Sequence, residues 1–345
     1  MSRLSRPLSL KNYCLVIVAA LLCMAIVGAL GAAWSRPLTG DLARLGHLPE
    51  VEFGPRQTPP PIPEQWRINS AFAKADVLVI GDSFSIGQIW QSRLQAHGLR
   101  TATVHWDLLE ACTGAPDFGS HLARLIRESG FKGRQIIIES VERSLEGRMQ
   151  LSCEPTAAPA APLQLIKTNA LEQQQGVLGW DWVYKALWHT LRLKQQPQDV
   201  TFQHTRVVAM VDGCQQFSHR RCEYGLFYRN DFQKPTFEGA PQLAAIDQRL
   251  REAGLQPLWL VMPDKSSVYL PAGYGQQHRY VDPWQAIKAL PGVHQLDLGP
   301  LLREARLTQR DLYLPDDTHL SREGFNLVGE AVWRALTSNN AQPAN

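Results

Sequence analysis

Two short segments far apart in the chain hold residue types that together can carry out acyl chemistry. Gly81-Asp82-Ser83 follows directly on the apolar run Asp76-Val77-Leu78-Val79-Ile80, and Asp316-Asp317-Thr318-His319 lies near the C-terminus. A serine hydroxyl is a weak nucleophile until a base takes its proton, and an imidazole serves when a carboxylate fixes its tautomer. A serine between a buried strand and a helix would sit at the carboxyl edge of a sheet, where open α/β folds keep their sites. A helix starting there would also aim backbone N–H groups at a developing oxyanion. Asp82 and Ser83 would also serve as ordinary helix caps, but the second segment weighs against so limited a role. Asp316 and Asp317 stand three and two residues before His319, and either could reach the imidazole nitrogen that faces away from Ser83. Covalent chemistry of this kind requires no cofactor and no metal.

The elements around these residues read as an α/β domain. The run before Ser83 is continuously apolar, as a strand buried on both faces must be. Ile86, Ile89, Trp90 and Leu94 then follow at helical spacing up to Gly98, a second strand is expected over Thr101–Trp106, and a third over Arg134–Glu139. Strand, helix, strand, helix, strand implies right-handed crossovers and a parallel sheet. Regularity breaks at the Pro/Ala-rich residues 154–164. Residues 165–196 look helical, and residues 200–237 are rich in aromatic and β-branched side chains, so 145–237 reads as an insertion. The pattern resumes with a helix at Pro241–Ala253, strands at Leu255–Met262 and Val293–Leu298, and a last helix ending near Leu336. The polar tail 338–345 reads as disordered.

The N-terminus indicates the compartment. Tyr13–Trp34 carries no charged residue, while Arg3, Arg6 and Lys11 precede it without a compensating acid. That reads as a single-pass inner-membrane anchor over 13–34, with residues 1–12 in the cytoplasm and the remainder exported to the periplasm. Ala29, Gly31 and Ala33 would permit cleavage of a signal peptide instead. Residues 35–70, with Pro59-Pro60-Pro61 and Pro63, read as a stiff stalk or equally as an ordered arm lying on the domain, and 71–337 as the catalytic domain. Among the six cysteines, Cys14 and Cys23 lie in the apolar segment and leave Cys112, Cys153, Cys214 and Cys222 outside. An even number in an oxidising compartment points to disulfides, with Cys214–Cys222 as a local loop and Cys112–Cys153 as its complement. The spacings are not those of a zinc site. Across 345 residues the composition is 44 % hydrophobic and 19 % charged with net charge +3. That fits a protein with a substantial core, and without a basic stripe or a nucleic-acid motif no nucleic-acid partner is expected.

The combination of Gly-Asp-Ser after the first strand with a late Asp-x-x-His block resembles the SGNH/GDSL hydrolase superfamily. The resemblance implies a flavodoxin-like three-layer α/β/α sandwich around a parallel sheet, with Ser83, Asp316 and His319 in the catalytic positions. A narrower likeness is to the periplasmic polysaccharide O-acetyltransferases of the alginate O-acetylation type. Asp317-Thr318-His319 is similar to their Asp-x-His block, Ile136 to Arg143 to their strand ending in Glu-Arg, and Pro263-Asp264-Lys265-Ser266-Ser267-Val268-Tyr269 to their Pro-x-Lys-x-x-x-Tyr segment. Here the Asp-x-His block follows the nucleophile, as in ordinary SGNH hydrolases; Leu320 stands where Trp is common, and there is no Gly-x-Asn-Asp block. The superfamily spacing and the chain order make Asp316 the expected acid on His319, although the subgroup spacing favours Asp317. The resemblance further implies an acetylated donor, a polysaccharide acceptor, and a membrane acyltransferase of the MBOAT type within an export complex. Gly114 is expected to offer a backbone N–H to the oxyanion, Arg143 to steady an anionic intermediate or sugar, and Lys265 and Tyr269 to line the acceptor groove. An esterase or carbohydrate deacetylase would use the same residues, and a glycan-binding subunit without catalysis would need none of them together.

Overall fold

The computed structural model describes residues 9–35, 40–56, 63–158, 161–166, 180–195, 199–276 and 281–340. Among them are eight strands: β1 (Val77–Gly81), β2 (Thr101–His105), β3 (Gln135–Val141), β4 (Val200–Phe202), β5 (Thr205–Ala209), β6 (Tyr224–Tyr228), β7 (Gln256–Met262) and β8 (Gln295–Leu296). Five form one parallel sheet in the order β2-β1-β3-β7-β8. The chain leaves β1 for β2 on one side and reaches β3 on the other, so the order reverses at β1, and a ligand crevice is expected at its carboxyl end.

The continuous apolar strands are explained by a sheet covered on both faces. Leu78, Ile80, Ile136, Ile138, Trp259 and Val261 pack against one layer, with Leu122, Leu125 and Ile126 of the helix Phe118–Glu128 and Leu243, Ile246 and Leu250 of the helix Ala240–Glu252. Their alternates Val77, Val79, Ile137, Leu258, Leu260 and Met262 meet Leu94, Leu298, Leu302, Phe325, Val328 and Val332 on the other. Period-two alternation in the strands thus sets two helical layers on one sheet. Val293–Leu298, expected as a strand, pairs only over Gln295–Leu296. Asp297 accepts from the N–H of Gly299 at 3.1 Å and so starts a helix at Leu298.

The stretch 145–237, read as an insertion, carries the helix Trp180–Gln195, in line with its helical pattern, and the antiparallel sheet β4-β5-β6. Residues 167–179, expected as part of that helix, lie outside the described residues, as do 1–8 and Pro59-Pro60-Pro61. Of the two readings of the segment before the catalytic domain, stalk and ordered arm, residues 40–56 take the second. They form the helices Asp41–Gly46 and Glu50–Phe53. Leu42, Leu48 and Phe53 are buried in a small third core with Leu193, Val200, Phe202, Val207, Tyr224 and Leu226. The aromatic face of β4-β5-β6 needs a cover, and this segment supplies it. The last helix runs to Asn340, beyond the expected order limit, with 341–345 outside the described residues. The N-terminal helix Leu10–Ser35 contains a stretch, Leu10–Gly31, long and apolar enough to cross a membrane. Both expected disulfides, Cys112–Cys153 and Cys214–Cys222, are formed.

Candidate active site

Ser83 is the exposed first residue of the short helix that follows β1, so its N–H has no acceptor within the helix. The turn beneath it is anchored by buried charge. Asp82 accepts from Phe84 N at 3.0 Å, and its other oxygen accepts from Val141 N and Arg148 Nη1, each at 2.8 Å, tying the ends of β1 and β3 together. Burial would raise the Asp82 pKa, but Arg148 and the backbone donors hold it below the ordinary carboxylate value. Glu139 lies wholly buried below and accepts from Asp82 N at 2.9 Å and Ser85 Oγ at 2.8 Å. Burial, then the charge on Asp82, pushes its carboxyl well above the usual range. A Cβ at Gly81 would overlap Ser85 and Glu139, which is why this position before the nucleophile turn has no side chain.

His319 arrives on a loop closed by the Tyr313–Leu320 bridge and by Leu314 N donating to His319 O at 3.0 Å. Its Nε2 is 2.9 Å from Ser83 Oγ, and its Nδ1 is 2.6 Å from Asp317 Oδ1. The same Oδ1 accepts from His319 N at 2.9 Å, and Oδ2 accepts from Asp41 N at 3.1 Å. The three side chains therefore form one hydrogen-bonded line, able to carry a proton from hydroxyl to imidazole. Burial alone would lower the His319 pKa, but the charge and hydrogen bond of Asp317, with Asp41 behind it, raise it above 6.5.

The structure decides between the two acids. Asp316, favoured by the superfamily spacing, turns away from the imidazole. It is buried, and its pKa is raised well above the usual range by burial, by a hydrogen bond to Glu50 and by that residue's charge. Its carbonyl accepts from Leu42 N and Ala43 N, and a Cβ on Gly40 would overlap its carboxyl. Adjacent residues point in different directions, and the two-residue spacing lets Asp317 fold back on His319.

Three further expectations are corrected. Gly114 N donates to Glu154 O at 3.0 Å, a bridge beside the Cys112–Cys153 disulfide, so its N–H is already engaged. Lys265 does not line a groove. It is buried, with Nζ donating to the carbonyls of Leu314 at 2.7 Å, Pro315 at 2.8 Å and Asp317 at 3.2 Å, so it pins the loop that carries His319. Burial pulls its ammonium down to about 8 against the pull of the neighbouring acids. Tyr269 is likewise buried, and its hydroxyl accepts from Tyr313 N at 3.2 Å.

Arg143 does reach the site. With Ser83 and His319 it lines a cleft of about 710 Å³ whose far wall is Tyr228, Asn230, Gln233 and Lys234 and whose near wall includes Asp41 and Leu45. Asp264 and Asp231 flank its guanidinium, the latter at 3.5 Å, and outweigh burial to keep it charged. Sequence reasoning missed Asp41. It accepts from Thr318 N at 2.9 Å and Thr318 Oγ at 2.8 Å, and burial, then Asp317, raises its carboxyl to about 6. Nothing in its local sequence marks it, since the contact spans nearly the whole chain. Asp41, Asp317 and His319 approach closely enough to hold a cation. Their facing atoms are, however, already committed to Thr318, to one another and to Ser83, which suits a hydrogen-bonded relay better than a metal centre.

This arrangement coincides with a match to known sequences. Residues 220–345 match the family model of the SGNH hydrolase-like domain of the acetyltransferase AlgX. No curated protein and no solved structure matches the chain. The SGNH and alginate O-acetylation resemblance inferred from short motifs is thus supported over the last third of the chain, which contains Asp317, His319, Lys265 and the far wall of the cleft. Ser83 lies outside the matched residues and is joined to the AlgX-like part by its hydrogen bond to His319. The matched segment is similar to a domain of hydrolase or acyltransferase type.

Proposed function

We propose that the protein transfers acetyl groups through Ser83 onto a polysaccharide in the periplasm, from an inner-membrane anchor formed by the N-terminal helix. The observation that carries this reading is the unbroken line Ser83 Oγ–His319–Asp317 opening on a cleft with a fixed cation at its wall. In the first half-reaction His319 Nε2 takes the Ser83 proton as Oγ attacks the acetyl carbonyl. The tetrahedral oxyanion is met by the N–H of Ser83 and by the positive field of Arg143. Collapse breaks the donor C–O bond, the leaving oxygen takes the proton back from Nε2, and acetyl-Ser83 remains. In the second half His319 deprotonates a sugar hydroxyl, which attacks the acetyl-serine, and Ser83 is released with its proton restored. Asp317 stabilises the imidazolium in both halves. The acetyl source that this chemistry needs is an acyl carrier in the same membrane, for which an MBOAT-type acyltransferase is the matching class.

The test uses the full-length protein in detergent, a chromogenic acetyl ester and an oligosaccharide acceptor. The expected result is an acetylated peptide containing Ser83 in a short quench and acetylated oligosaccharide at longer times, both lost in a Ser83→Ala protein with an unchanged unfolding midpoint. Release of acetate alone, whatever the acceptor, would make the protein an esterase. Turnover by folded Ser83→Ala would remove the assignment.

A further inference from the structure

The helix Trp180–Gln195 is apolar on two faces. Its inner face is accounted for: Trp182, Val183, Ala186, Thr190 and Leu193 are buried, and His189 Nδ1 sits 2.8 Å from the carbonyl of Gly46 in the segment that carries Asp41. Its outer face shows Tyr184, Leu187, Trp188 and Leu191, exposed at 69 %, 41 %, 57 % and 52 %. Positions i, i+3, i+4 and i+7 form one continuous stripe, roughly 100° wide. The other large apolar side chains exposed among the described residues outside the N-terminal helix, Ile68, Leu108, Val211 and Leu307, stand singly. A four-residue stripe with two aromatics is not an ordinary water-facing surface.

We infer that this stripe lies in the surface of the lipid bilayer that the N-terminal helix crosses. Three observations fix the occupant as lipid. First, Val183, on this same helix, abuts Gly31, the residue that ends the apolar span, so the helix stands at the level where the span leaves the hydrocarbon. Second, the stripe holds one Trp and one Tyr, whose amphipathic rings favour the membrane–water interface. Third, the stripe is bordered by Arg192 on one side and Lys194 on the other, while Lys185, next to Arg192, is neutralised by Asp181 at 2.8 Å. The stems of Arg192 and Lys194 can lie along the apolar layer while the charges meet anionic headgroups. The consequence concerns the cleft. The helix holds Gly46 by its inner face, and the residues just before Gly46, Asp41 and Leu45, line the cleft. Asp41 also follows Ser35, the last residue of the N-terminal helix, by a tether that cannot exceed about 22 Å. The reacting serine is therefore held close over the bilayer, where a membrane-borne donor would present its acyl group. This last step rests on the acetyl-transfer reading, whereas the lipid contact does not.

The test uses the full chain with Cys14→Ser and Cys23→Ser in nanodiscs of phosphatidylethanolamine and phosphatidylglycerol. Nitroxide labels are placed singly through Leu187→Cys, Leu191→Cys, Leu307→Cys and Val18→Cys, and collisions with dioxygen and with a water-soluble nickel chelate are compared. Labels at 187 and 191 are expected to favour dioxygen several-fold over the label at 307, approaching the label at 18. Values at 187 and 191 equal to that at 307 overturn the inference while leaving the anchor intact. Shielding of both labels from both agents also overturns it, since protein then covers the stripe. A label at 18 open to the nickel chelate overturns the anchor and the inference together. Ester turnover in detergent, expected to be unchanged in every labelled protein, confirms that each is folded, and the acetyl-transfer reading fails separately if the parent protein shows none.

Discussion

Replacing Asp317 by Asn tests the geometry of the relay most directly. Asp317 Oδ1 accepts from both His319 N and Nδ1, and Oδ2 accepts from Asp41 N. An asparagine can keep its oxygen toward His319, which preserves the tautomer but points NH₂ at the N–H of Asp41 and removes the charge that stabilises the imidazolium. A unit charge about 4 Å away at an effective dielectric near 20 is worth about 4 kcal/mol, or about three decades in rate at 1.36 kcal/mol each. If the amide flips, NH₂ faces Nδ1, the proton moves to Nε2 and Ser83 loses its base, the situation that costs about 10⁴ in serine proteases. Asp317→Asn should therefore lower kcat by about 10³ to 10⁴. Asp316→Asn exchanges a carboxyl already pushed toward its neutral form, turned away from the imidazole, for a neutral amide of the same shape. It should leave kcat within about tenfold of the parent, which is 1.36 kcal/mol of barrier. Both proteins are assayed with the same acetyl ester, with circular dichroism to check folding. Equal losses at the two positions, or near-parental turnover in Asp317→Asn, would refute the reasoning.

The remaining expectations rest on neighbouring groups. Because the His319 pKa is raised above 6.5, its base form is lost as pH falls through that raised value. The acid limb of kcat/KM should therefore lie above pH 6.5 and move down in Asp317→Asn, as a pH–rate profile would record. Lys265→Met leaves three loop carbonyls without their donor. It should lower the unfolding midpoint in urea and, by loosening His319, cost about 10² in kcat, the scale expected for a misplacement of about 1 Å. Thiol titration of the unfolded, unreduced chain should find only Cys14 and Cys23, because the other four are paired.

The meeting of Ser83 with His319, the parallel sheet and both disulfide pairings were legible in the sequence because the residues involved are marked locally. Continuous apolar runs mark strands covered on both faces, and Gly-Asp-Ser marks a strand-to-helix turn. Cys214 and Cys222 lie close in the chain and leave the other pair by elimination. The choice between Asp316 and Asp317 was not legible, since two adjacent carboxylates differ only in the direction the loop turns them. That direction is set by Lys265 beneath the loop and by Leu42, Ala43 and Glu50 at its side. The same limit hid the role of residues 40–56. Proline content nearby suits a stalk and an ordered arm equally, yet the uncovered aromatic face of β4-β5-β6 recruits Leu42, Leu48 and Phe53 and with them brings Asp41 to the relay. Lys265 and Tyr269 kept their place in a motif and lost their expected role, because a motif records which residues are present and only packing decides which way they face. Local sequence thus determined which reactive groups this protein has, while the acid that aims His319 was decided by contacts between segments hundreds of residues apart, which no local pattern can encode.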